Sequence, residues 1–389
     1  MTVCEYSKDH LVALLPLPDQ DANKYTRGRL TAVVGSARYP GAACLVAAAG
    51  QRMGAGYTEV ITDSSAVAGI RAFRPSLVVR SWDGWKPVSP APASDLSSGA
   101  GSGSDPDSSS SPDSDSGSDF SLSSSSSPSS DLDLGSSPSP RASFGLDANN
   151  VDASDVDFFP NVDSGAAPVS DSSLELDPAP GLDVLFAPTR PRKPHAYVVG
   201  AGFDAQDQKA TSLVYAVLKH AGVPVLVDGG GLGALATKKG QRLLRRRFIL
   251  GWPTVVTPHA GEASRLAVVF GLPVDDRAEL ARLISLSFGV VAVVKGPDTF
   301  VSDGERTVLM AEGTPALAKA GTGDVLAGMI GALMAQGLAS FDAAVLGATL
   351  HARAGCEAAE RFTSIGVVAE DVLDAIPSAI RGLILSDGD

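Results

Sequence analysis

The sequence is poor in cysteine and has no long hydrophobic run, and both absences limit what the chain can be. Its three cysteines, Cys4, Cys44 and Cys356, have spacings unlike a disulfide framework or a zinc site. No stretch approaches the roughly 18–20 apolar residues of a membrane span. The N-terminal segment contains Glu5 and Asp9 and too short an apolar run for a signal peptide. We therefore expect a cytoplasmic protein without a membrane partner, and we assign no residue as a metal ligand.

Basic residues are scarce in one segment. Residues 87–183 contain 17 acidic residues but only one basic residue, Arg141, and are dominated by Ser, Asp, Pro and Gly. The other residues contain 30 basic and 27 acidic side chains, so the acidic balance of the chain belongs to this segment. Such a composition cannot bury enough apolar surface to offset the entropy lost on ordering. It predicts a disordered insertion in one discontinuous domain of residues 1–86 and 184–389. A polyanionic tract without a basic stripe also argues against nucleic acid as a partner.

Outside this segment, short apolar runs alternate with glycine turns and helical stretches. The predicted strands are 30–34, 57–62, 77–80, 196–199, 223–227, 254–256 and 290–294, and the predicted helices are 42–53, 206–221, 324–336 and 341–361. Continuously apolar strands separated by helices are typical of an α/β fold of three layers, with a mostly parallel sheet covered by helices on both faces. Ligands of such sheets bind at the carboxyl ends of the strands, which is where the polar, glycine-rich turns fall.

The strongest motif is KAGTGDVLAG at 319–328. Gly321 and Gly323 allow the backbone to approach a ligand closely, and the helix that follows presents unpaired N–H groups to an anion. Asp324 has two interpretations, an ordinary helix N-cap or a catalytic base beside the anion site. The flanking Gly-Thr-Gly favours the base.

The segment GTGD at 321–324 resembles the ribokinase-like superfamily, and three further motifs narrow the resemblance. YPGAA at 39–43, TPHAGE at 257–262, KG at 295–296 and KAGTGDVLAG occur in this order in the ADP-dependent NAD(P)H-hydrate dehydratases. The resemblance extends from about Gly28 to Pro377. No one motif is specific, but the combination is.

The resemblance implies a repair reaction. The family restores hydrated NADH and NADPH (NADHX and NADPHX): ADP phosphorylates the ring hydroxyl of the S epimer, and the ring nitrogen then expels phosphate, which leaves NAD(P)H, AMP and phosphate. It also implies magnesium, a homo-oligomer, specifically a tetramer, and functional coupling to an epimerase. Because little sequence precedes Gly28, we expect that epimerase to be a separate protein.

The resemblance assigns roles to motif residues. Asp324 would be the catalytic base. The substrate-binding residues would be Ala42, Ala43, Gly202, His259 and Asp324. The nucleotide-binding residues would be Lys295, Gly296, Pro297, Asp298, Thr299, Gly321, Thr322 and Gly323.

Three of these motif residues also have ordinary structural interpretations. His259 could be a capping or core histidine, and Glu262 an acidic residue of a helix first turn. Lys295 could be a solvated surface charge, although its valine and alanine neighbours place it at the end of a buried strand.

The chain departs from the family pattern at three positions. DGGGL at 228–232 replaces a stretch that usually reads DADAL, so the second carboxylate is absent at Gly230. GAGFD at 200–204 lacks the proline and final glycine of the usual GPGLG, and Thr314 stands where Asn is typical.

These departures leave other functions open. One alternative is a ribokinase-like vitamin or sugar kinase that uses ATP. Another is a catalytically silent nucleotide-binding module. A Rossmann dinucleotide site is weaker, because Gly200 and Gly202 have no third glycine at the required spacing.

Overall fold

A computed structural model describes residues 3–4, 6–83, 85, 185–186, 194–310 and 312–385. The strands are β1 (Val3–Cys4), β2 (Arg29–Val33), β3 (Tyr57–Thr62), β4 (Val78–Ser81), β5 (Ala196–Val199), β6 (Val225–Val227), β7 (Thr254–Val256), β8 (Val291–Val294), β9 (Thr299–Ser302) and β10 (Thr307–Met310). The helices are α1 (Lys8–Ala13), α2 (Pro40–Arg52), α3 (Ser64–Phe73), α4 (Gln208–His220), α5 (Leu232–Leu235), α6 (Lys238–Ile249), α7 (Ala260–Val268), α8 (Arg277–Phe288), α9 (Thr322–Ala335), α10 (Ser340–Gly366) and α11 (Ala369–Ile384). The predicted insertion at 87–183 lies outside the described residues.

The strands form one sheet of ten, in the order β1-β10-β9-β8-β7-β6-β5-β2-β3-β4. From β8 to β4 all neighbouring strands are parallel, which confirms the predicted mostly parallel sheet. Strands on the two sides of the insertion pair directly, with Leu30 opposite Ala196. The antiparallel strands β9 and β10 extend the sheet beyond β8 and were not predicted.

Helices cover both faces of the sheet, as predicted. Alternate residues of a strand point to opposite faces. In β5, Ala196 and Val198 join one hydrophobic core with α2, α9, α10 and α11. Tyr197 and Val199 join the second core, with α4, α6, α7 and α8. β5 is therefore buried on both sides, which explains its unbroken apolar sequence.

Local backbone structure explains where two helices differ from their predicted bounds. Asp207 accepts a hydrogen bond from the Lys209 N–H, so α4 begins two residues after the predicted start at 206. In α10, which was predicted to end at 361, Thr363 has a φ of 65° and interrupts the helical geometry. Within the described part of the chain, no helix is both long and apolar enough to cross a bilayer.

Candidate active site

The turn before α9 gives this helix an N-terminus without a side-chain cap. Gly321 is the N-cap, in the left-handed region at φ 94°, and no side chain caps the first turn. A Cβ at Gly321 would lie 2.7 Å from Cδ1 of Leu45, so the turn needs glycine for both conformation and space. Asp324 is the third residue of α9, so its interpretation as the N-cap is wrong. The first N–H groups of α9 remain available to an anion.

Asp324 sits in surroundings that favour its neutral form. Burial raises the pKa of this carboxyl to about 7, and the negative charge of Asp228 adds to the effect. The positive charge of Lys295 opposes it. A carboxyl with a pKa near neutrality can both accept and release a proton at ordinary pH, which is the property required of a general base.

Asp228 follows β6 at the carboxyl edge of the sheet and is nearly fully buried. Its Oδ1 accepts a hydrogen bond from the Lys295 Nζ at 2.8 Å and one from the Thr257 Oγ1 at 2.6 Å. Asp228 belongs to the DGGGL segment and was not predicted to be a site residue. Its signal was an acidic residue directly after a buried strand, at the edge where ligands bind.

Lys295 is not a solvated surface charge. Its side chain is 20% exposed, and the attraction of Asp228 raises its pKa despite the opposing effect of burial. A Cβ at Gly323 would lie 3.2 Å from the Lys295 Nζ, so this ammonium group lies against the first turn of α9. Lys295 thus connects the end of β8 to the N-terminus of α9.

A cavity of about 620 Å³ opens beside this group. Six of the predicted nucleotide-binding residues line it, namely Lys295, Gly296, Pro297, Thr299, Thr322 and Gly323. Two others do not line it: Gly321 forms the N-cap of α9, and Asp298 pairs with Arg277 at 3.5 Å. The volume falls within the roughly 300–1,000 Å³ of small-molecule sites.

Part of the cavity wall was not predicted from the sequence. The lining residues without a predicted role include Met310, Glu312, Thr314, Leu326, Ala348 and His351. Burial lowers the pKa of His351 to about 4, so this imidazole is neutral at physiological pH. Its Nε2 lies 2.9 Å from the carbonyl oxygen of Thr322 and thereby ties α10 to the first turn of α9. No local pattern in the sequence marked a histidine so far from that turn.

The capping interpretation of His259 is confirmed. Its Nδ1 accepts from the Gly261 N–H at 3.1 Å, and Glu262 accepts from the His259 N–H at 2.9 Å, so the two form a capping box at the start of α7. His259 also lines the 620 Å³ cavity. The first-turn interpretation of Glu262 is therefore confirmed.

Ala42, Ala43 and Gly202 lie together at the ends of β2 and β5. A Cβ at Gly202 would lie 2.6 Å from the Cβ of Ala42, and one at Gly35 would lie 2.8 Å from the Cβ of Ala43. These residues do not line the 620 Å³ cavity. The predicted substrate residues are thus divided, with His259 at the cavity and these three at the neighbouring strands.

Packing accounts for the departures at Gly230 and Thr314. Gly230 lies in a short 3-10 turn, and a Cβ there would overlap the main-chain carbonyl of Phe203. The absence of a side chain at position 230 therefore fits the path of residues 200–204, and that turn also departs from the family pattern. Thr314 accepts a hydrogen bond from the Ala316 N–H and caps the turn Pro315–Leu317, a role that Asn also performs.

Comparisons with known proteins identify a family and several relatives. A family model described as NAD(P)H-hydrate dehydratase matches residues 186–378. The ADP-dependent (S)-NAD(P)H-hydrate dehydratase of Neisseria meningitidis is 35% identical over 204 residues, which cover 52% of this chain and 67% of that protein. The bifunctional NAD(P)H-hydrate repair enzyme Nnr of Moorella thermoacetica is 37% identical over 190 residues, 48% of this chain and 34% of that protein. The chain thus spans about a third of the length of such bifunctional relatives.

Solved structures resemble the fold. An ADP/ATP-dependent NAD(P)H-hydrate dehydratase from Bacillus subtilis, co-crystallised with ATP and Mg²⁺, has a TM-score of 0.60 at 21% identity, covering 98% of this chain and 99% of that one. A ribokinase-like superfamily protein from Enterococcus faecalis has a TM-score of 0.62 at 19% identity, covering 97% and 95%. The fold is therefore ribokinase-like, with Asp324 at the start of its glycine-flanked helix. The chain belongs to the NAD(P)H-hydrate dehydratase family.

Proposed function

We propose that this chain catalyses the ADP-dependent dehydration of the S epimer of hydrated NADH or NADPH, as a carbon–oxygen lyase. The observation that carries the proposal is the position of Asp324. Its carboxyl lies in the first turn of α9, its pKa is about 7, and Lys295 and the uncapped N–H groups of α9 are beside it. A base and an anion site next to each other are what transfer of a phosphoryl group to a hydroxyl requires.

Asp324 accepts the proton of the ring hydroxyl as the hydroxyl oxygen bonds to the terminal phosphorus of ADP. The bond between that phosphorus and the bridging oxygen breaks, and AMP leaves. The lone pair of the ring nitrogen then expels phosphate, and a proton leaves the neighbouring ring carbon to restore the double bond. The N–H groups of the first turn of α9 stabilise the charge on the transferring oxygens.

The adenine nucleotide occupies the 620 Å³ cavity, with its phosphates directed towards Lys295 and the start of α9. Lys295, Gly296, Pro297, Asp298 and Thr299 form one side of this site. Gly321, Thr322 and Gly323 form the other.

Magnesium fits this site as an ion carried by the nucleotide. Among the described residues no group of three or more His, Cys, Asp or Glu side chains is placed to hold a metal. Magnesium commonly binds through one or two carboxylates together with phosphates and waters. Asp228 would hold it through Oδ2, because Oδ1 accepts both hydrogen bonds from Lys295 and Thr257. The ion would offset negative charge on the transferring phosphoryl group.

The hydrated nicotinamide lies on the other side of Asp324, at the ends of β5 and β2. Ala42, Ala43 and Gly202 form a surface of small residues there, which supports close approach of a flat ring. His259 faces the reacting groups from the nucleotide side.

Several further properties belong to this proposal. Residues 1–86 and 184–389 form one catalytic domain, which the pairing of β2 with β5 supports. We also infer a cytoplasmic location, a homo-oligomer of four subunits and functional coupling to a separate epimerase. The last inference draws on the relatives that are named bifunctional.

The test is the recovery of reduced nicotinamide absorbance after purified protein is added to chemically prepared NADHX with magnesium. ADP, ATP and no nucleotide are compared, for the wild type and Asp324→Asn. Recovery with ADP that Asp324→Asn abolishes supports the proposal. A stable phosphorylated product indicates a small-molecule kinase instead. Nucleotide binding without turnover indicates a silent binding module.

A further inference from the structure

A second cavity, of about 240 Å³, lies at the carboxyl edge of the sheet. Its wall is built by the segments that follow β2, β3, β4 and β5, and none of its residues belongs to the site described above. The lining residues used below are Ser36, Arg38, Asp63, Trp82, Phe203 and Lys209. The volume is below the roughly 300–1,000 Å³ of whole-ligand pockets, so it suits one end of a long ligand.

One buried polar group belongs to the wall of this cavity. The indole N–H of Trp82 has no hydrogen-bond partner among the residues that the structure describes. Trp82 is 4% exposed and lines the cavity, and its backbone N–H donates to the carbonyl of Thr62 at 2.9 Å. Buried polar groups are nearly always partnered in proteins, so this indole N–H supports the binding of a polar molecule at the cavity.

Contacts connect the cavity to the proposed nicotinamide position. The Ser36 hydroxyl donates to the carbonyl of Gly202 at 2.7 Å, and Gly202 lies against Ala42. The order β8-β7-β6-β5-β2-β3-β4 therefore runs from the nucleotide cavity, past Asp228 and Gly202, to this second cavity. ADP occupies the β8 side, so the remainder of a dinucleotide has room only in the direction of β4.

The charged and aromatic side chains of the 240 Å³ cavity suit the remaining part of a dinucleotide. The Lys209 Nζ lies 6.0 Å from the centre of the Trp82 ring and has no ion-pair partner among the described residues. Phe203 packs edge-on against Trp82 at 5.6 Å. Asp63 and Asp207 also line the cavity, but each accepts a backbone N–H as a helix N-cap, and Asp204 pairs with Arg38 at 3.7 Å. Hydrogen bonds from Ser65 and the charge of Lys209 lower the pKa of Asp63, so a phosphate bound here would compete with that carboxylate for the lysine.

We propose that the 240 Å³ cavity binds the adenosine end of the dinucleotide hydrate, with Lys209 contacting its phosphates. The pyrophosphate then crosses the start of α2, whose N-cap, Tyr39, makes no side-chain capping bond and leaves N–H groups for an anion. This inference rests on the proposed function, since it assigns the remote half of the same substrate.

The test compares two substrates, NADHX and the hydrated form of reduced nicotinamide mononucleotide, which lacks the adenosine end. Lys209→Ala is measured beside Lys238→Ala, an exposed lysine of α6 that lines neither cavity. Trp82→Phe removes the unpartnered N–H while keeping an aromatic ring. Thermal denaturation verifies that each variant is folded.

Lys209→Ala should lower kcat/KM for NADHX by about tenfold, the scale of one charge-assisted hydrogen bond. The same variant should leave kcat/KM for the mononucleotide hydrate and KM for ADP unchanged, and Lys238→Ala should change none of the three. Equal losses on both substrates, or no loss on either, would overturn the assignment while the proposed function stands. If the wild type processes neither substrate, the proposed function fails and the assignment fails with it.

Discussion

The Lys295 Nζ and the Asp228 Oδ1 are 2.8 Å apart, although the two residues are separated by 67 positions in the sequence. Both side chains act on the pKa of Asp324, in opposite directions. The pair also keeps two charges in a region where an unpaired charge would be costly. This ion pair lies between the 620 Å³ cavity, which Lys295 lines, and Asp324, whose pKa it affects.

Removing the charge of Asp228 should shift the pH dependence of the reaction. Burial and the charge of Asp228 raise the pKa of Asp324, so Asp228→Asn should lower that pKa. The acidic limb of the kcat/KM profile should then move to lower pH, because more of the base is ionised there. The exposed Asp374, which pairs with Arg52, provides the control Asp374→Asn. An acidic limb that stays in place in Asp228→Asn would contradict the prediction.

Asp324→Asn should lose activity and gain stability. Loss of a general base costs about 10²- to 10⁴-fold in rate. The folded-state pKa of Asp324 is raised to about 7, so the stability associated with its protonated form is lost as pH rises through 7. Neutral Asn should therefore increase the free energy of unfolding at pH 8, by on the order of a few kcal/mol, and much less near pH 4. Denaturation of both proteins at the two pH values measures this difference.

Restoring a carboxylate at position 230 should destabilise the protein. A Cβ at Gly230 would overlap the Phe203 carbonyl, so Gly230→Asp requires the backbone to shift, at a cost of about 1–3 kcal/mol. Gly233→Asp is the matched control, since its Cβ would meet Ala205 at an ordinary 3.6 Å. Urea denaturation of the two variants compares the costs. Equal free energies of unfolding for the two variants would contradict the prediction, because they would show that the 200–204 turn shifts at little cost.

Arg247 should be essential for folding stability although it lies at the opposite edge of the sheet. It is fully buried. It donates to Thr254 Oγ1 and to four backbone carbonyls, those of Leu218, Ala221, Val223 and Pro253. Arg247→Met removes the donor of these five hydrogen bonds and should cost at least about 3 kcal/mol. Thermal denaturation of Arg247→Met is compared with that of the control Arg242→Met, which changes an exposed arginine of the same helix. Equal melting temperatures for the two variants would refute the prediction.

Much of the fold was predictable because its signals are local. Strands β3, β5 and β7 have the bounds that their apolar runs predicted. Strands β9 and β10 escaped prediction, because a short antiparallel hairpin has no helix between its strands to mark it. The site was partly predictable for the same reason: Gly321, Gly323 and Asp324 are adjacent in the sequence, and one helix start holds them together.

The sequence by itself determined a three-layer α/β protein with a glycine-flanked carboxylate at a helix start. Apolar runs and glycine turns specify strands and helix starts through residues that are neighbours in the sequence. Only the tertiary structure decided that Asp228 pairs with Lys295, that His351 holds the first turn of α9, and that position 230 has no room for a side chain. Each of these depends on groups brought together from distant parts of the chain by the packing of helices on the sheet.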